Sequence, residues 1–311
     1  MPIARLEGKG TLMDKITPAR ISVLSNRGRI GKSFNVSPDG SLEKTPNGQF
    51  TDGTIEAADV ASAASLAKLC EGLTPNQAPC LGGPKTGDLK ANITTRKNAV
   101  ARSQSGRLPL TRTKDDLDFF PGQGYALLDF DDKDLPEEQR ARISKTGGAE
   151  EVIYGLHPEL RSIDRMIRPS SSAGLFIPNS NRPALGGGFH MFVRLCHGAY
   201  APRLLEAIKQ HSCSAGFGYV AFSKSGAMLE RFVVDASVAS PERLIFTADP
   251  ILGPGVARAQ IRTQVFEGDP LDSPTMSCDL SWSRNRSLAF ENAREPAEKL
   301  QTAYLRQHAK M

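Results

Sequence analysis

Long apolar runs are absent from this sequence. No uncharged apolar stretch approaches the roughly 20 residues that a membrane-spanning helix needs. The N-terminal residues scatter charges where a secretory signal peptide would carry an apolar block. We therefore expect a cytoplasmic protein with no membrane partner.

Cysteine is also scarce. The 311 residues include five cysteines, an odd number spread widely along the chain, which is typical of reduced thiols. Cys196 and Cys213 each lie near a histidine, His197 or His211, and the four side chains could offer zinc ligands. Their spacing matches no common zinc finger, and neighbouring side chains point apart on a strand, so we do not expect zinc.

Nothing in the composition departs from that of a globular protein. Hydrophobic residues make up 39% and charged residues 23% of the chain, which excludes a wholly disordered, collagen-like or coiled-coil protein. A chain of this length predicts two compact units, or one core with appended elements, at about 150 residues per domain. We place these parts at residues 1–114, 115–255 and 256–311.

Charge is unevenly distributed. The stretch 85–114, here called the basic stretch, carries eight basic residues and one acid, whereas 115–138 carries nine acids and one lysine. Basic residues hold phosphates and carboxylates hold divalent metal, so the pattern fits a protein that handles polyanions. A solvated loop beside an acidic helix start would explain the same charges.

Residue patterns predict strands that alternate with helices. Strands are predicted at 19–25, 32–37, 125–131, 173–177, 189–195, 218–222 and 231–234. Helices are predicted at 54–73, 135–144, 157–167, 201–211 and 287–310, with Pro296 starting, breaking or kinking the last one. Residues 74–113 are predicted to be mostly loop. This order indicates an α/β or α+β core between about residues 115 and 250, followed by a C-terminal helix.

Two glycine-containing segments imitate nucleotide-binding motifs. Residues 26–33 end in Gly-Lys-Ser, but Asn26 replaces the first glycine and the following residues predict a strand instead of a helix. Gly122 and Gly124 precede a predicted strand, whereas the dinucleotide fingerprint follows one. We therefore reject a phosphate loop and a dinucleotide site.

The most informative pair of acids lies on a predicted strand. Residues two apart share a face, so Asp129 and Asp131 project together while Leu128 and Phe130 enter the core. Two like charges held this close are costly unless a cation lies between them, which favours a divalent metal site. Acids at a strand end are also common turn formers.

Two further residues extend this pattern. His190 follows a run of three glycines at the start of a predicted strand, and Asp235 ends another apolar strand. Alone, a strand histidine is more often structural and a strand-end aspartate is more often a cap. Together with the acid pair, they form three elements in one order along the chain.

This order resembles a known family. Asp129-x-Asp131, Gly188-x-His190 and an apolar strand ending in Asp235 are similar to the three motifs of the archaeo-eukaryotic primase superfamily, particularly the primase-polymerases of plasmids, phages and integrated elements. The resemblance covers about residues 110–250. It implies a two-lobed catalytic core with an RNA-recognition-like sheet and an active site between the lobes.

The resemblance implies roles for the matching residues. Asp129, Asp131 and Asp235 would hold two Mg²⁺ or Mn²⁺ ions for nucleotidyl transfer. His190 and Arg243 would neutralise charge on the incoming triphosphate.

The match departs from the family at one position. Gly188 stands where relatives carry a small hydroxyl residue. Backbone amides of 186–188, or the hydroxyls of Ser170 and Ser172, could replace the missing phosphate contact.

The partners implied by the resemblance are a single-stranded DNA template, nucleoside triphosphates and a replicative helicase in cis or in trans. We expect the basic stretch to lie along the template entrance, with Arg96, Lys97 and Arg102 on the nucleic-acid backbone. The expected activity is that of a DNA primase or polymerase in the replication of a mobile element.

Two alternatives remain open. A replication initiator or relaxase-type nickase can also use such a sheet, but it usually needs two alternating histidines and a nucleophilic tyrosine, and Phe192 lies two residues after His190. A non-catalytic DNA-binding module of a replication protein is the other alternative.

Overall fold

The computed structural model describes residues 18–45, 49–102, 109–132, 135–180, 186–260, 262–272 and 281–308. Its strands are β1 (Ala19–Asn26), β2 (Ser33–Val36), β3 (Leu42–Thr45), β4 (Asp52–Val60), β5 (Gln77–Cys80), β6 (Gly82–Pro84), β7 (Lys90–Thr94), β8 (Leu110–Thr111), β9 (Leu117–Phe119), β10 (Gly124–Phe130), β11 (Arg165–Pro169), β12 (Leu175–Phe176), β13 (Phe189–Leu195), β14 (Tyr219–Phe222), β15 (Met228–Arg231), β16 (Ile251–Leu252), β17 (Ala257–Arg258) and β18 (Gln264–Phe266). Its α-helices are α1 (Ala63–Glu71), α2 (Arg96–Arg102), α3 (Glu137–Thr146), α4 (Ala149–Leu156), α5 (Ala201–Ser214) and α6 (Ser281–His308).

An antiparallel sheet in the order β10-β13-β11-β18 carries the candidate site. Nearly all residues of β10 and β13 are buried, because α5 packs against β10 and α1 packs against β11 and β13. The register places Asp129 opposite His190 and His190 opposite Arg168. Directly paired residues share a face, so these three side chains form one row across the sheet.

A second sheet, in the order β5-β1-β4-β7-β8, comes from the first third of the chain. One apolar core joins it to the β10 sheet, since the same cluster contains Ile21 and Leu66 as well as Leu127 and Phe192. This core crosses the expected boundary between residues 114 and 115.

Asp164 also links the two halves of the chain. Its side chain is 2% exposed and lies 2.7 Å from Arg194 Nε on β13. Both of its carboxylate oxygens accept a hydrogen bond from the main-chain amide of Ala63 at 3.1 Å. The carboxylate therefore binds the first turn of α1, whose helix begins beside the Ser62 cap.

Smaller sheets complete the fold. A three-stranded sheet has the order β16-β2-β3, and its parallel β16–β2 pair joins the region after Asp235 to the N-terminal region. Two-stranded pairs are formed by β6 and β9, by β12 and β17, and by β14 and β15. The mixed α/β class and the C-terminal helix are thus confirmed.

Several predicted elements match the structure. The strands β1, β2, β10 and β13 and the helices α3 and α5 lie within a few residues of their predicted positions. The C-terminal helix begins earlier than predicted, and Pro296 lies inside it. The predicted last residues of this helix, 309–310, lie outside the described residues.

Other predicted elements are wrong. Residues 54–60 of the predicted helix 54–73 belong to β4, because pairing with β1 and β7 overrides the helical preference of this alanine-rich segment. The predicted loop 74–113 contains β5, β6, β7, β8 and α2. The predicted helix 157–167 is a single 3-10 turn followed by β11, because residues 165–167 pair with β13 and β18. The strand predicted at 231–234 is wrong beyond its first residue, because β15 ends at Arg231 and residues 232–234 are not in a strand.

The structure also bears on membrane-spanning helices and on the cysteines. None of the helices in the described ranges is long and apolar enough to cross a bilayer. Cys70, Cys80, Cys196 and Cys213 carry free thiols. The fifth cysteine, Cys278, lies outside the described residues.

Candidate active site

Asp129 and His190 form the centre of the candidate site. Asp129 is the next-to-last residue of β10, and its side chain is 27% exposed. His190 lies opposite it on β13, and its Nε2 is 3.5 Å from Asp129 Oδ1. Leu128 and Phe130 are buried on the other face of the sheet, as the alternation in the sequence predicts.

The segment that ends in Asp235 lies along the outer edge of β10. Val233 and Val234 are buried, and the main-chain amide of Asp235 donates a hydrogen bond of 2.8 Å to the carbonyl of Asp129. The Asp235 carboxylate accepts from the amide of Ser237 at 2.8 Å, so it also caps the following 3-10 turn. The structure therefore brings the second acidic motif to the first.

Arg243 lies next to Asp235. Its Nη2 is 3.8 Å from Asp235 Oδ2, and its Nη1 donates to the carbonyl of Ser237 at 3.2 Å. The guanidinium is 46% exposed, so it remains accessible from solvent. A cation thus flanks the Asp235 carboxylate, and its contact with a phosphate stays a prediction.

Burial and like charge control the protonation of Asp129. Burial is the first cause that raises its pKa to about 6, followed by the negative charges of Asp235 and Asp131. Lys32 and Arg243 act in the opposite direction. The carboxylates are therefore close enough to repel one another, which is the electrostatic setting that favours a bound cation.

His190 is neutral near pH 7. Burial lowers its pKa to about 3, and the positive charges of Lys32 and Arg168 add to this effect. Its Nδ1 is buried without a hydrogen-bond partner among the described residues. An imidazole in this state can exchange hydrogen bonds with a phosphate but does not supply the positive charge expected from the sequence.

Lys32 is a site residue that sequence analysis missed. It belongs to the segment that sequence analysis rejected as a phosphate loop. The strand β2 follows it directly, as predicted, in place of a helix. Burial and then Lys44 lower the pKa of Lys32, whereas Asp129 and Asp131 oppose that change. Its ammonium therefore lies in the field of both carboxylates. Nothing in the local sequence signals this, because it depends on how the β16-β2-β3 sheet packs.

The oxygen donors suit a hard divalent cation such as Mg²⁺ or Mn²⁺. Asp131 lies one residue beyond β10 and is exposed, beside the Asp129 and Asp235 pair. Among the residues that the structure describes, no three acidic, histidine or cysteine side chains are arranged as one metal-binding group. The donor chemistry fits the expected ions, and the complete three-aspartate ligand set stays a prediction.

Gly188 and the serines of the predicted phosphate contact lie side by side. The amide of Ser170 donates to the carbonyl of Gly188 at 2.8 Å, and Ser170 Oγ is 3.3 Å from Ser172 Oγ. A Cβ atom at Gly188 would lie 3.0 Å from the carbonyl oxygen of Phe130 and 3.1 Å from Ser170 Oγ. A side chain there would crowd these atoms, which accounts for the glycine at this position.

One of the glycine amides is already engaged. Gly187 donates its amide hydrogen to Asp132 Oδ2 at 2.9 Å. The expectation that all amides of 186–188 serve a phosphate therefore does not hold for Gly187 in this arrangement.

The basic stretch is more structured than expected. Arg96 pairs with Asp115, while Lys97 is exposed on α2. Arg112 donates to the carbonyl of Glu242 at 3.3 Å, which places the end of the stretch beside Arg243. The side chain of Arg102 lies outside the described residues, so the three-residue nucleic-acid contact stays a prediction.

The four candidate zinc ligands have different surroundings. Cys196 Sγ contacts the carbonyl of Pro270, and His197 is exposed and packs edge-on against Tyr200. His211 stacks on the buried His157, with ring centroids 4.7 Å apart and Nδ1 3.1 Å from His157 Nε2. Sequence analysis did not predict this histidine pair.

Comparison of the chain with known proteins does not assign a family. No family model, curated protein or solved structure matches it. The resemblance to primases therefore rests on the residues of this chain.

Proposed function

We propose that this chain is a DNA primase-polymerase that joins nucleotides on a single-stranded DNA template during replication of a plasmid, phage or integrated element. The observation that carries the proposal is the meeting of three distant segments at one end of the β10 sheet. Asp235 is hydrogen-bonded to Asp129, His190 faces Asp129, and Arg243 flanks Asp235.

The order of elements supports the proposal. Apart from the short strands β12, β14 and β15, the chain runs β10, α3, α4, β11, β13, α5, and the 232–235 segment then returns to the edge of β10. The elements up to α5 follow the first five of a split β-α-β-β-α-β order, which RNA-recognition-like sheets share, and the 232–235 segment lies beside β10 without forming a last strand. The three motifs of the resemblance thus meet at one end of the β10 sheet.

Each residue has a role in the proposed reaction. Asp129, Asp131 and Asp235 would hold divalent metal, which when bound supplies Lewis-acid stabilisation of phosphoryl charge. Arg243 would bind a phosphate of the incoming nucleotide through its exposed guanidinium. His190 would donate or accept a hydrogen bond at that phosphate, and its Nε2, 3.5 Å from Asp129 Oδ1, would orient the carboxylate.

Metal-dependent incorporation of labelled nucleotides on primed and unprimed single-stranded DNA tests the proposal. We expect incorporation by the full chain with Mg²⁺ or Mn²⁺, and its loss in Asp129→Asn and Asp131→Asn with template affinity retained. Glu291→Gln, which neutralises an exposed carboxylate on α6, is the matched control and should remain active. Near-normal incorporation by either aspartate variant, or template nicking without nucleotides, would contradict the proposal.

A further inference from the structure

Arg168 is a buried cation that the proposed roles do not use. Its side chain is 7% exposed. It lies opposite His190 on β11, and His190 lies opposite Asp129 on β10. Adjacent strands are about 4.8 Å apart, so the main chain of Arg168 lies about 10 Å from that of Asp129 on the same sheet face.

Three acceptors hold the Arg168 guanidinium. Nε donates to the carbonyl of Thr247 at 3.0 Å, and Nη1 donates to Thr263 Oγ1 at 3.1 Å. Nη2 donates to Asp249 Oδ1 at 3.1 Å. The two neutral acceptors fix the guanidinium, and the carboxylate balances its charge.

Arg258 on β17 reaches the same carboxylate oxygen. Its Nη1 donates to Asp249 Oδ1 at 3.0 Å. Its Nη2 and Nε donate to the carbonyls of Ser170 and Ala173 at 2.9 Å and 3.1 Å. Main-chain carbonyls thus hold this guanidinium too, and both arginines direct an N–H group at one oxygen without depending on Asp249 for their position.

Asp249 itself is weakly held. Its side chain is 70% exposed, although it neutralises one buried and one mostly buried arginine. The Asp164–Arg194 pair shows the contrast, since its carboxylate is 2% exposed and also binds the amide of Ala63. An exposed carboxylate gains little from an ion pair, so another anion can replace Asp249 at low cost.

Buried polar atoms without a partner occur in the segments next to the two arginines. Thr247 Oγ1, Ser171 Oγ and His190 Nδ1 are buried without a hydrogen-bond partner among the described residues. Thr247 is the residue whose carbonyl holds Arg168, and Ser171 lies in the turn that holds Arg258. Buried hydroxyls usually have a partner, and a phosphate offers more acceptor oxygens than the carboxylate does.

We propose that Arg168 and Arg258 form a binding site for the terminal phosphates of a polyphosphate tail, which the Asp249 carboxylate occupies in this structure. The inference rests on the proposed function, because the tail would belong to the nucleoside triphosphate that reacts at Asp129. The tail would then run along the row from Asp129 past His190 to Arg168. Asp249 competes with the tail and so reduces nucleotide affinity.

Binding of tripolyphosphate to the full chain, measured by calorimetry in low-salt chloride buffer without metal, tests this site. We expect Asp249→Asn to bind about five- to tenfold more tightly than the unmodified chain, because the competing charge is gone. Arg258→Gln should bind at least about tenfold more weakly, because a charged hydrogen bond is lost. Thermal melts check that each variant is folded.

Asp59→Asn is the matched control. Like Asp249, Asp59 is an exposed carboxylate that pairs with an arginine, here Arg20 on the second sheet. Its variant should keep the affinity of the unmodified chain for tripolyphosphate. Equal affinities of the unmodified chain and Asp249→Asn, or an equal gain in Asp59→Asn, would overturn the proposal.

A second ligand, a short oligonucleotide, distinguishes a nucleotide-binding site from a template-binding site. If Asp249→Asn and Arg258→Gln change the affinity for a short oligothymidylate and leave that for tripolyphosphate unchanged, the site binds nucleic-acid backbone and the proposal is wrong. The binding assay involves no catalysis. A chain that binds tripolyphosphate as expected but incorporates no nucleotide would keep this site and overturn the proposed function alone.

Discussion

The main-chain amide of Asp235 donates a hydrogen bond of 2.8 Å to the carbonyl of Asp129. This bond holds the Asp235 segment at the edge of β10 and places two carboxylates from distant parts of the sequence near each other. The main-chain hydrogen bond therefore sets how close the two residues lie, whichever rotamers their side chains adopt. Such proximity costs stability unless a cation offsets it.

Neutralising Asp129 should stabilise the chain at neutral pH. Its pKa is about 6 in the folded chain against 3.8 ordinarily, so the folded state holds more protons between these values. Stability from this group is therefore lost as pH rises from about 4 to 6 and stays lost above. We expect Asp129→Asn to gain on the order of 1–3 kcal/mol of unfolding free energy at pH 7.5 and little at pH 4.

Denaturant unfolding at both pH values measures this gain. Added Mg²⁺ should stabilise the unmodified chain at pH 7.5 more than Asp129→Asn. Glu291→Gln, which neutralises an exposed carboxylate on α6, should match the unmodified chain. A less stable Asp129→Asn chain at pH 7.5 would show that the carboxylate stabilises the fold.

The pH dependence of nucleotide incorporation should follow the ionisation of Asp129 and not that of His190. The pKa of His190 is about 3 and that of Asp129 is about 6, so activity should rise through about pH 6 as the carboxylate ionises. His190→Gln should have lower activity but keep this acidic limb. If activity in His190→Gln no longer rose through this pH range, the His190 imidazole would be the group that titrates there.

The basic stretch should contribute to salt-dependent template binding. Each phosphate contact that is removed lowers the logarithmic salt slope by about 0.7 for single strands. Alanine at Arg96, Lys97 and Arg102 should therefore flatten the slope by up to about 2, although the pairing of Arg96 with Asp115 reduces its share. Fluorescence anisotropy with a labelled oligonucleotide at several salt concentrations measures the slope.

The control for this prediction removes three positive charges outside the basic stretch. Arg284, Arg294 and Lys299 are exposed on α6, and their triple alanine variant should keep the slope of the unmodified chain. Equal slopes in both triple variants would place the template away from the basic stretch.

The buried His157 should make the chain sensitive to acid. Burial lowers the pKa of His157 from its ordinary 6.5, and Glu159 only partly opposes this. Stability from neutral His157 is therefore lost as pH falls through about 6.5. We expect His157→Gln to lose less Tm than the unmodified chain between pH 7.5 and 5.5. His197→Gln, at an exposed histidine, should follow the unmodified chain, and identical curves for all three would contradict the prediction.

Local patterns predicted the strands of the site but not their partners. The apolar residues around Asp129 and His190 are buried as the alternation requires, so β10 and β13 could be found from sequence. The roles of Lys32 and Arg168 depend on register and on contacts between segments distant in sequence, which no short pattern encodes. The misread helix at 54–60 has the same cause, since neighbouring strands decided its conformation.

The Asp164 carboxylate shows that the part of the chain after residue 114 is not an interchangeable module. It binds the Ala63 amide of the N-terminal third and the Arg194 guanidinium of β13 at once. A chain shortened to begin at residue 115 would keep this buried carboxylate and lose one of its two partners, and it would expose the face that Leu66 covers. Any exchange between proteins of the segments that carry Asp129, His190 and Asp235 would therefore have to carry the N-terminal sheet with them.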